Sequence, residues 1–277
     1  MDRGRHRTGF RGAGAIALAL FLGVCRSASG ADTAPMYTAD SIVNSATQTS
    51  GALAPNSIAT IYGSNLAFVT RAVTNADVRG SVLPNSLDGV TVYVGAFAAS
   101  LFYISPTQIN FLVPYEYTAG LVNIAVARQG VAGPSIKVQL NATAPGLFKW
   151  NGNYAIASHL DGSLTAPGSP AKSGEIIVIY AVGLGRTSPD TTSGRVAASA
   201  ATIVALSQLQ VTIAGTTVPS KDILYAGLAP GFAGLYQINL RMPADLPPDP
   251  EIRVAVASQI SPARIQLAAQ ASAISIN

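Results

Sequence analysis

Hydrophobic and polar residues alternate in two heptapeptides that share one pattern. Residues 108–114 read Gln-Ile-Asn-Phe-Leu-Val-Pro, and residues 237–243 read Gln-Ile-Asn-Leu-Arg-Met-Pro. Alternate side chains of a strand point to opposite faces, so Ile109 and Ile238 are predicted to face a core while the Gln and Asn side chains face away. Proline has no N–H to continue a ladder, and we therefore expect both strands to end at the closing proline.

Short runs rich in β-branched residues, separated by turn residues, predict strands along the rest of the chain. They cover residues 57–62, 89–94, 98–104, 108–113, 121–127 and 135–140 in the first half, and residues 154–158, 175–182, 209–213, 218–225, 235–241, 252–257 and 264–269 in the second. Residues 67–86 show no period and are expected to form a long surface loop. The Ala-rich residues 196–206 fit either a short helix or a loop. Helix is otherwise minor, because no segment keeps a helical period over three turns.

Matched landmarks indicate that the chain is a tandem duplication. Pro35 corresponds to Pro145, Tyr62 to Tyr180, and Gln108 to Gln237. The spacing between partners grows along the unit, so the second copy carries insertions, which loops tolerate better than strands. One extra piece, residues 227–234, directly precedes the second Gln-Ile-Asn. The predicted fold class is all-β, with two tandem immunoglobulin-like β-sandwich domains over residues 34–143 and 144–270.

An N-terminal segment, residues 1–30, is predicted to be a secretory signal peptide. It combines a basic start with four arginines, an apolar run over residues 13–24, and the small residues Ala28 and Gly30 before the cleavage point. The run is too short for a membrane helix, which needs about 20 residues, and no later run approaches that length. Cys25 offers a lipoprotein alternative, in which this cysteine carries the lipid.

Removing this segment changes the charge balance. It holds five of the 17 Lys and Arg residues and one of the 13 Asp and Glu residues, so 12 of each sign remain. A formally neutral mature chain lacks the basic surface typical of nucleic-acid-binding proteins, and we expect no nucleic-acid partner. The predicted mature chain also holds no cysteine and a single histidine, His159, which excludes disulfides and Cys-rich zinc sites.

The candidate catalytic and metal-binding residues fit ordinary turn chemistry better than a reactive site. A Ser/His/acid triad would need His159, which Asp161 cannot readily orient from two residues away, and no Gly-x-Ser-x-Gly elbow is present. The acidic residues near strand ends or turns are Glu116, Asp161, Glu175 and Asp222. The oxygen-rich loops that contain Asn151, Asn153, Asp161 and Asp190 match no calcium-loop spacing. We predict no catalytic residue, no cofactor and no metal site, with bound calcium left open.

Aromatic residues are the better binding candidates. Tyr115 and Tyr117 follow the first closing proline, and Trp150 and Tyr154 lie at the junction of the two copies. Aromatic rings stack on sugar rings, so these four residues are candidates for carbohydrate binding, with packing of Trp150 between the domains as the alternative.

The repeated motif itself is predicted to be structural. It comprises Gln108, Ile109, Asn110 and Pro114 in the first copy, and Gln237, Ile238, Asn239 and Pro243 in the second. Its isoleucines are expected in the cores. Its amides are expected to hold a neighbouring irregular loop, since buried amides need hydrogen-bond partners.

Several motifs together resemble the uncharacterised Solibacter-type C-terminal domain. They are residues 54–58 (Ala-Pro-Asn-Ser-Ile), 62–66 (Tyr-Gly-Ser-Asn-Leu), 101–106 (Leu-Phe-Tyr-Ile-Ser-Pro), 144–148 (Ala-Pro-Gly-Leu-Phe) and both Gln-Ile-Asn motifs. Each half is also similar to an IPT/TIG-type immunoglobulin-like repeat. The resemblance covers nearly the whole mature chain, and it implies export and a β-rich module without a known activity.

The function predicted first is an exported, non-catalytic binding or adhesion module of the cell envelope, whose partner is a protein or carbohydrate of that envelope. Two alternatives stay open. One is a polysaccharide-acting hydrolase with a pair of carboxylates in the cleft between the domains. The other is a structural or assembly module that pairs with a partner through exposed edge strands.

Overall fold

A computed structural model describes residues 33–271. The predicted signal peptide, residues 1–30 with Cys25, lies outside the described residues. Within the described part of the chain, no helix is long and apolar enough to cross a membrane. The fold is all-β, as predicted, with three short 3₁₀ helices at Ala39–Ser41, Leu206–Gln208 and Ser220–Asp222.

The first half of the described chain forms two antiparallel sheets. Its strands are β1 (Ile42–Asn44), β2 (Ile58–Tyr62), β3 (Arg71–Ala72), β4 (Val90–Val94), β5 (Phe97–Ala98), β6 (Ser100–Ile104), β7 (Gln108–Leu112), β8 (Gly120–Arg128), β9 (Val131–Ala132) and β10 (Ile136–Leu140). One sheet has the order β1-β2-β7-β6-β3. The other has the order β10-β8-β4-β5, with β9 also paired to β8.

The second half repeats this plan. Its strands are β11 (Gly146–Leu147), β12 (Lys149–Trp150), β13 (Tyr154–Ala155), β14 (Ala157–His159), β15 (Ile176–Val182), β16 (Thr187–Ser188), β17 (Ala201–Ile203), β18 (Leu209–Ile213), β19 (Thr216–Thr217), β20 (Ile223–Leu228), β21 (Tyr236–Arg241), β22 (Ile252–Val256) and β23 (Gln259–Ile260). The larger sheet has the order β11-β15-β21-β20-β17-β16, and its partner has the order β19-β18-β22-β23. All strand ladders of the described residues stay within one half.

Each half has its own hydrophobic core, formed where side chains from its strands pack together. The Gln-Ile-Asn strands, β7 and β21, are central in their sheets and contribute Ile109, Phe111, Ile238 and Leu240, all fully buried. The side chains of the glutamines and asparagines lie on the opposite face and are half-buried. The predicted facing of both strands is therefore seen in the structure, because a period of two places alternate residues on one side.

Three sequence expectations for secondary structure were wrong. Residues 264–269 form no strand: Gln266 and Ala269 make single bridges to different partners, Tyr154, Glu251 and Ala171, instead of one ladder. The Ala-rich residues 196–206 contain strand β17, because its ladder with β20 overrides the helix propensity of alanine. The strand expected at 218–225 begins only at Ile223, after a 3₁₀ turn.

Two long loops, one from each half, pair at the junction of the halves. The Leu83 amide donates to the Gly194 carbonyl at 2.9 Å, and the Val196 amide donates to the Ser81 carbonyl at 2.8 Å. The extra residues 227–234 add a second contact, in which Gly234 approaches so closely that an added Cβ would lie 2.2 Å from Leu112 Cδ1. Backbone pairing and close packing thus join the halves, while the domain boundary at residue 143 stays a prediction.

A buried tyrosine hydroxyl also bridges the halves. Tyr236 of β21 is fully buried, donates to the Gly185 carbonyl at 2.6 Å, and accepts from Asn56 Nδ2 of the first half at 3.3 Å. Burial raises the pKa of the Tyr236 hydroxyl. The neutral hydroxyl therefore satisfies two buried polar groups, which would each cost free energy if left without a partner.

Replacing a core isoleucine with a charge tests the facing of the central strands. We expect Ile109→Asp and Ile238→Asp each to unfold the half that carries it, since an unpaired buried carboxylate is strongly destabilising. Circular dichroism during thermal unfolding measures this. Leu121→Asp and Ile260→Asp are matched controls at exposed strand positions. Wild-type melting of either core variant would show that the facing is wrong.

Removing the Tyr236 hydroxyl tests the bridge. Tyr236→Phe should lower the free energy of unfolding by about 1–3 kcal/mol, because it leaves the Gly185 carbonyl and the Asn56 amino group buried without that partner. Urea denaturation measures the change. Tyr93→Phe, at an exposed strand position, is the control, and equal losses in the two variants would contradict a bridging role.

Candidate functional site

Two tyrosines flank the amides of the first Gln-Ile-Asn motif. In the strand register, Tyr62 of β2 lies opposite Gln108, and Tyr103 of β6 lies opposite Asn110. Directly opposed residues of an antiparallel pair project to the same face, so all four side chains share the face that points away from the core. We call Tyr62, Tyr103, Gln108 and Asn110 the first patch.

A β-bulge places Tyr103 in this patch. The pairing of β6 with β7 shifts between Leu101 and Tyr103, which leaves Phe102 as the extra residue. Without the bulge, strict alternation would put Phe102 opposite Asn110. The extra residue brings the tyrosine to the outward face, a typical effect of bulges on side-chain direction.

The second half repeats the arrangement. Tyr180 of β15 lies opposite Gln237, and Tyr225 of β20 lies opposite Asn239. The pairing of β20 with β21 also shifts between Ile223 and Tyr225, so the bulge recurs at the equivalent position. We call Tyr180, Tyr225, Gln237 and Asn239 the second patch. Two halves with different loops thus carry the same four residue types in the same register.

The amides of each patch bind each other. Gln108 Nε2 donates to Asn110 Oδ1 at 2.9 Å, and Gln237 Nε2 donates to Asn239 Oδ1 at 3.0 Å. The prediction that these amides hold a neighbouring loop is therefore corrected, because side chains two residues apart on one strand face are near enough to pair directly. Among the described residues, the glutamine Oε1 and the asparagine Nδ2 of each pair have no hydrogen-bond partner.

The tyrosines differ in how firmly they are held. The Tyr62 hydroxyl donates to Gln48 Oε1 at 2.7 Å, and its ring is 38% exposed at the edge of an apolar cavity of about 500 Å³. The Tyr225 hydroxyl donates to the Leu228 carbonyl at 2.7 Å, and its ring lies over Gly227, where an added Cβ would come within 2.8 Å. Burial raises the pKa of Tyr225.

Neither patch contains a charged side chain, since its members are tyrosines and amides. The residue two positions after Asn110 is Leu112, which is buried against the second half. The corresponding residue of the second copy is Arg241, which is exposed and donates from Nη1 to the Gly174 carbonyl at 3.1 Å. Each patch can therefore offer aromatic faces, hydrogen-bond donors and acceptors to a neutral polar ligand.

The aromatic residues singled out in the sequence lie elsewhere, in two separate pairs. Tyr115 is buried, and the Arg186 guanidinium lies 4.3 Å from its ring centre. Tyr117 is half-buried, donates to the Val94 carbonyl at 3.0 Å and packs edge-on against Phe97. Both side chains are engaged in packing within the protein, and their role in ligand binding stays a prediction.

Trp150 and Tyr154 form the second pair, opposite each other in the hairpin of β12 and β13. Their ring centres are 6.5 Å apart, and the Tyr154 hydroxyl donates to Asp249 Oδ2 at 2.9 Å. These contacts lie within the second half, and both ligand binding by this pair and packing of Trp150 between the halves stay predictions. In the described structure no ring contact links this pair to Tyr115 or Tyr117.

The single histidine of the described chain lies beside a polar cavity of about 800 Å³. His159 Nδ1 is 2.5 Å from Glu175 Oε1, and Nε2 is 3.1 Å from the Ser169 carbonyl and 3.3 Å from Ser169 Oγ. The hydrogen bond to Glu175 raises the pKa of His159. A charged imidazole donates to both the Glu175 carboxylate and the Ser169 carbonyl. These two hydrogen bonds form a clamp that holds the loop between β14 and β15.

The acids of this cavity are already engaged by their own loops. Glu175 Oε2 accepts from the Lys172 amide at 2.8 Å, and Asp161 Oδ1 accepts from the Ser163 amide and hydroxyl at 2.9 and 2.7 Å. The hydrogen bonds from Ser163 lower the pKa of Asp161. The sequence suggested no partner for His159, because Asp161 is only two residues away. In the structure the partner is Glu175, sixteen positions away, which strand pairing brings close.

The cleft between the halves holds no carboxylate in its described lining. It encloses about 660 Å³ and is lined by Phe102, Phe232, Val78 and Asn75, among others. The hydrolase alternative needs two carboxylates here, so this cleft does not favour it. Among the described residues, no group of three or more His, Cys, Asp or Glu side chains could hold a metal ion.

Residues 41–142 match the model of the IPT/TIG domain family, so the first half contains an IPT/TIG immunoglobulin-like domain. No curated protein matches the chain.

Among solved structures, a surface glycan-binding protein of Prevotella bryantii is 15% identical, with 85% of this chain and 42% of that chain covered and a TM-score of 0.27. SGBP-B of the Bacteroides ovatus mixed-linkage glucan utilization locus is 12% identical, with 80% and 45% covered and a TM-score of 0.32. Domains 5–6 of the S-layer protein SbsC are 8% identical, with 86% and 100% covered and a TM-score of 0.24. The chain spans less than half the length of the two glycan-binding proteins, and TM-scores below 0.5 support no inference about function.

Sequence reasoning missed all four patch tyrosines as site residues. One signal was present for Tyr62 and Tyr180, which are matched landmarks of the duplication. Pairing register then puts them beside the repeated glutamines. No comparable signal existed for Tyr103 and Tyr225, because their facing depends on bulges that the sequence pattern does not reveal.

The His159–Glu175 pair predicts a pH-dependent contribution to stability. Its raised folded pKa means that the stabilisation is fully present below the unfolded pKa of about 6.5 and is lost as pH rises through the folded pKa. Glu175→Gln should therefore destabilise the protein more at about pH 5.5 than at about pH 9, as measured by urea unfolding. Glu251→Gln, an acid that binds the Arg264 amide, is the control. A pH-independent difference would contradict the clamp.

Proposed function

We propose that this protein is an exported, non-catalytic binding module of the cell envelope and that its ligand is carbohydrate. The observation that carries the proposal is the recurrence of Tyr-Gln-Asn-Tyr on the outward sheet face of both halves. The buried positions of the repeat are explained by core packing. The outward positions are not required by that packing, so their recurrence, bulge included, indicates a surface with a shared use.

The chemistry of the patches suits sugar rings. Tyrosine rings supply flat apolar faces for the C–H side of a pyranose, and the free glutamine oxygen and asparagine amino group accept from and donate to hydroxyls. The amide-to-amide hydrogen bond fixes both side chains before a ligand arrives, which reduces the entropy lost on binding. The absence of charged members in the two patches favours a neutral ligand.

A binding role agrees better with the patches than catalysis does. Side-chain amides do not ionise near neutral pH, so the glutamine and asparagine of each patch cannot act as general acid or base. Export rests on the predicted signal peptide, residues 1–30. Carbohydrate of the envelope is therefore the partner that these groups fit, in place of a protein partner held through edge strands.

Substitutions in both patches should weaken binding. In affinity electrophoresis through gels with β-glucan, mannan, xylan or glucomannan, we expect at least one polysaccharide to retard the protein. The double variants Gln108→Ala/Gln237→Ala and Tyr62→Ala/Tyr180→Ala should each weaken this binding about tenfold or more, since each lost hydrogen bond costs about 0.5–1.5 kcal/mol.

Matched controls separate the patches from the general surface. Tyr93→Ala/Gln210→Ala removes an exposed tyrosine and an exposed amide from the other sheet of each half and should leave retardation unchanged. Equal weakening by this control, or no retardation by any of the four polysaccharides, would contradict the proposal. Release of reducing ends from the retarding polysaccharide would instead support the hydrolase alternative.

A further inference from the structure

We infer that each chain carries two equivalent sites for the same sugar and binds polysaccharide bivalently. This inference rests on the proposed function and adds to it the number of sites and the class of ligand, a polymer with repeated units. It follows from the equivalence of the patches, from the fixed connection between the halves, and from the small size of each patch.

The equivalence of the patches extends to the hydrogen bond between their amides. In both, a tyrosine lies opposite the glutamine, a second tyrosine follows a bulge to lie opposite the asparagine, and the amides are joined at 2.9 or 3.0 Å. Two differences lie beside the patches. Thr60 Oγ1 donates to Asn110 Oδ1 at 3.1 Å, whereas Val178 lies opposite Asn239. Arg241 borders the second patch, and its guanidinium is held by the Gly174 carbonyl. The same donors, acceptors and rings predict the same sugar specificity.

The patches are held at a fixed separation. Backbone hydrogen bonds join residues 81–83 to residues 194–196, and the buried Tyr236 hydroxyl contacts both halves. A third connection runs from Thr143 Oγ1 to the Val256 carbonyl at 3.2 Å. With the halves packed in this way, binding at one patch carries no entropy cost for ordering a flexible linker before the second patch engages.

Each patch alone is a small site. Strand spacing places Tyr62 and Tyr103 roughly 10–12 Å apart across the sheet, with the two amides between them. That span accommodates two or three sugar units, and a few hydrogen bonds to exposed hydroxyls give weak affinity because water competes for the same groups. Two weak, identical sites on one protein gain apparent affinity for a polymer by avidity. Both sites can bind the same polysaccharide molecule, or each can bind a different one.

Titration calorimetry with the best polysaccharide of the electrophoresis panel, and with its hexasaccharide, tests the inference. The wild type should bind two hexasaccharides per chain. Gln108→Ala and Gln237→Ala should each keep one site at the wild-type affinity and weaken the other site about tenfold. For the polymer, each single variant should lose about tenfold in apparent affinity, because the weakened site contributes less to avidity. Tyr62→Ala and Tyr180→Ala are a second pair, and thermal melting verifies that all variants fold.

The outcomes separate the two levels of the proposal. One hexasaccharide per wild-type chain, or a polymer affinity that falls only twofold in the single variants, overturns bivalence while leaving carbohydrate binding intact. Bivalence is also overturned if the wild type has two sites of unequal affinity and only one of them weakens when its glutamine is replaced. Failure of both the hexasaccharide and the polymer to bind contradicts the proposed function itself.

Discussion

The antiparallel register of the two Gln-Ile-Asn strands is the constraint on which the rest of this structure depends. Each strand is central in its sheet, so its register decides which residues of two neighbours share a face with it. A slip by one residue would send Ile109 or Ile238 to solvent and the amides into the core. The hydrogen-bond ladder of each strand therefore decides which side chains enter the core and which reach the surface. The neighbouring bulge then brings a tyrosine to the surface face.

The junction between the halves depends on features that differ between the copies. The first half contributes Asn56 and Leu112, whereas the second contributes Tyr236 and the inserted residues 227–234. Pro230 and Gly231 form a tight turn in that insertion, closed by the Phe232 amide on the Ala229 carbonyl at 3.2 Å. Pro followed by Gly at positive φ is the type II pattern, which directs the chain back to the interface. The two halves share a strand plan, whereas residues that differ between them make their contact.

Much of the fold could be predicted from the sequence, since alternating residues such as Ile109 and Phe111 identify strand faces directly. The same pattern wrongly predicted a strand at residues 264–269, because residues that form isolated bridges resemble residues that form a ladder. The candidate site was harder still. Trp150 and Tyr154 were conspicuous as aromatic residues near the junction, and in the structure they lie opposite each other in one hairpin. Tyr103 and Tyr225 reach their amides only through bulges and long-range pairing, which local patterns do not encode.

The contrast between Leu112 and Arg241 sets a limit on how this architecture can grow. Leu112 is apolar and receives Gly234 of the following half, while the corresponding position of the second copy is a guanidinium at the surface. The same packing on Arg241 would bury a guanidinium, which is strongly unfavourable unless the charge is paired. The two halves therefore pack through residues that differ between the copies, unlike the repeats of a solenoid, which stack on identical surfaces.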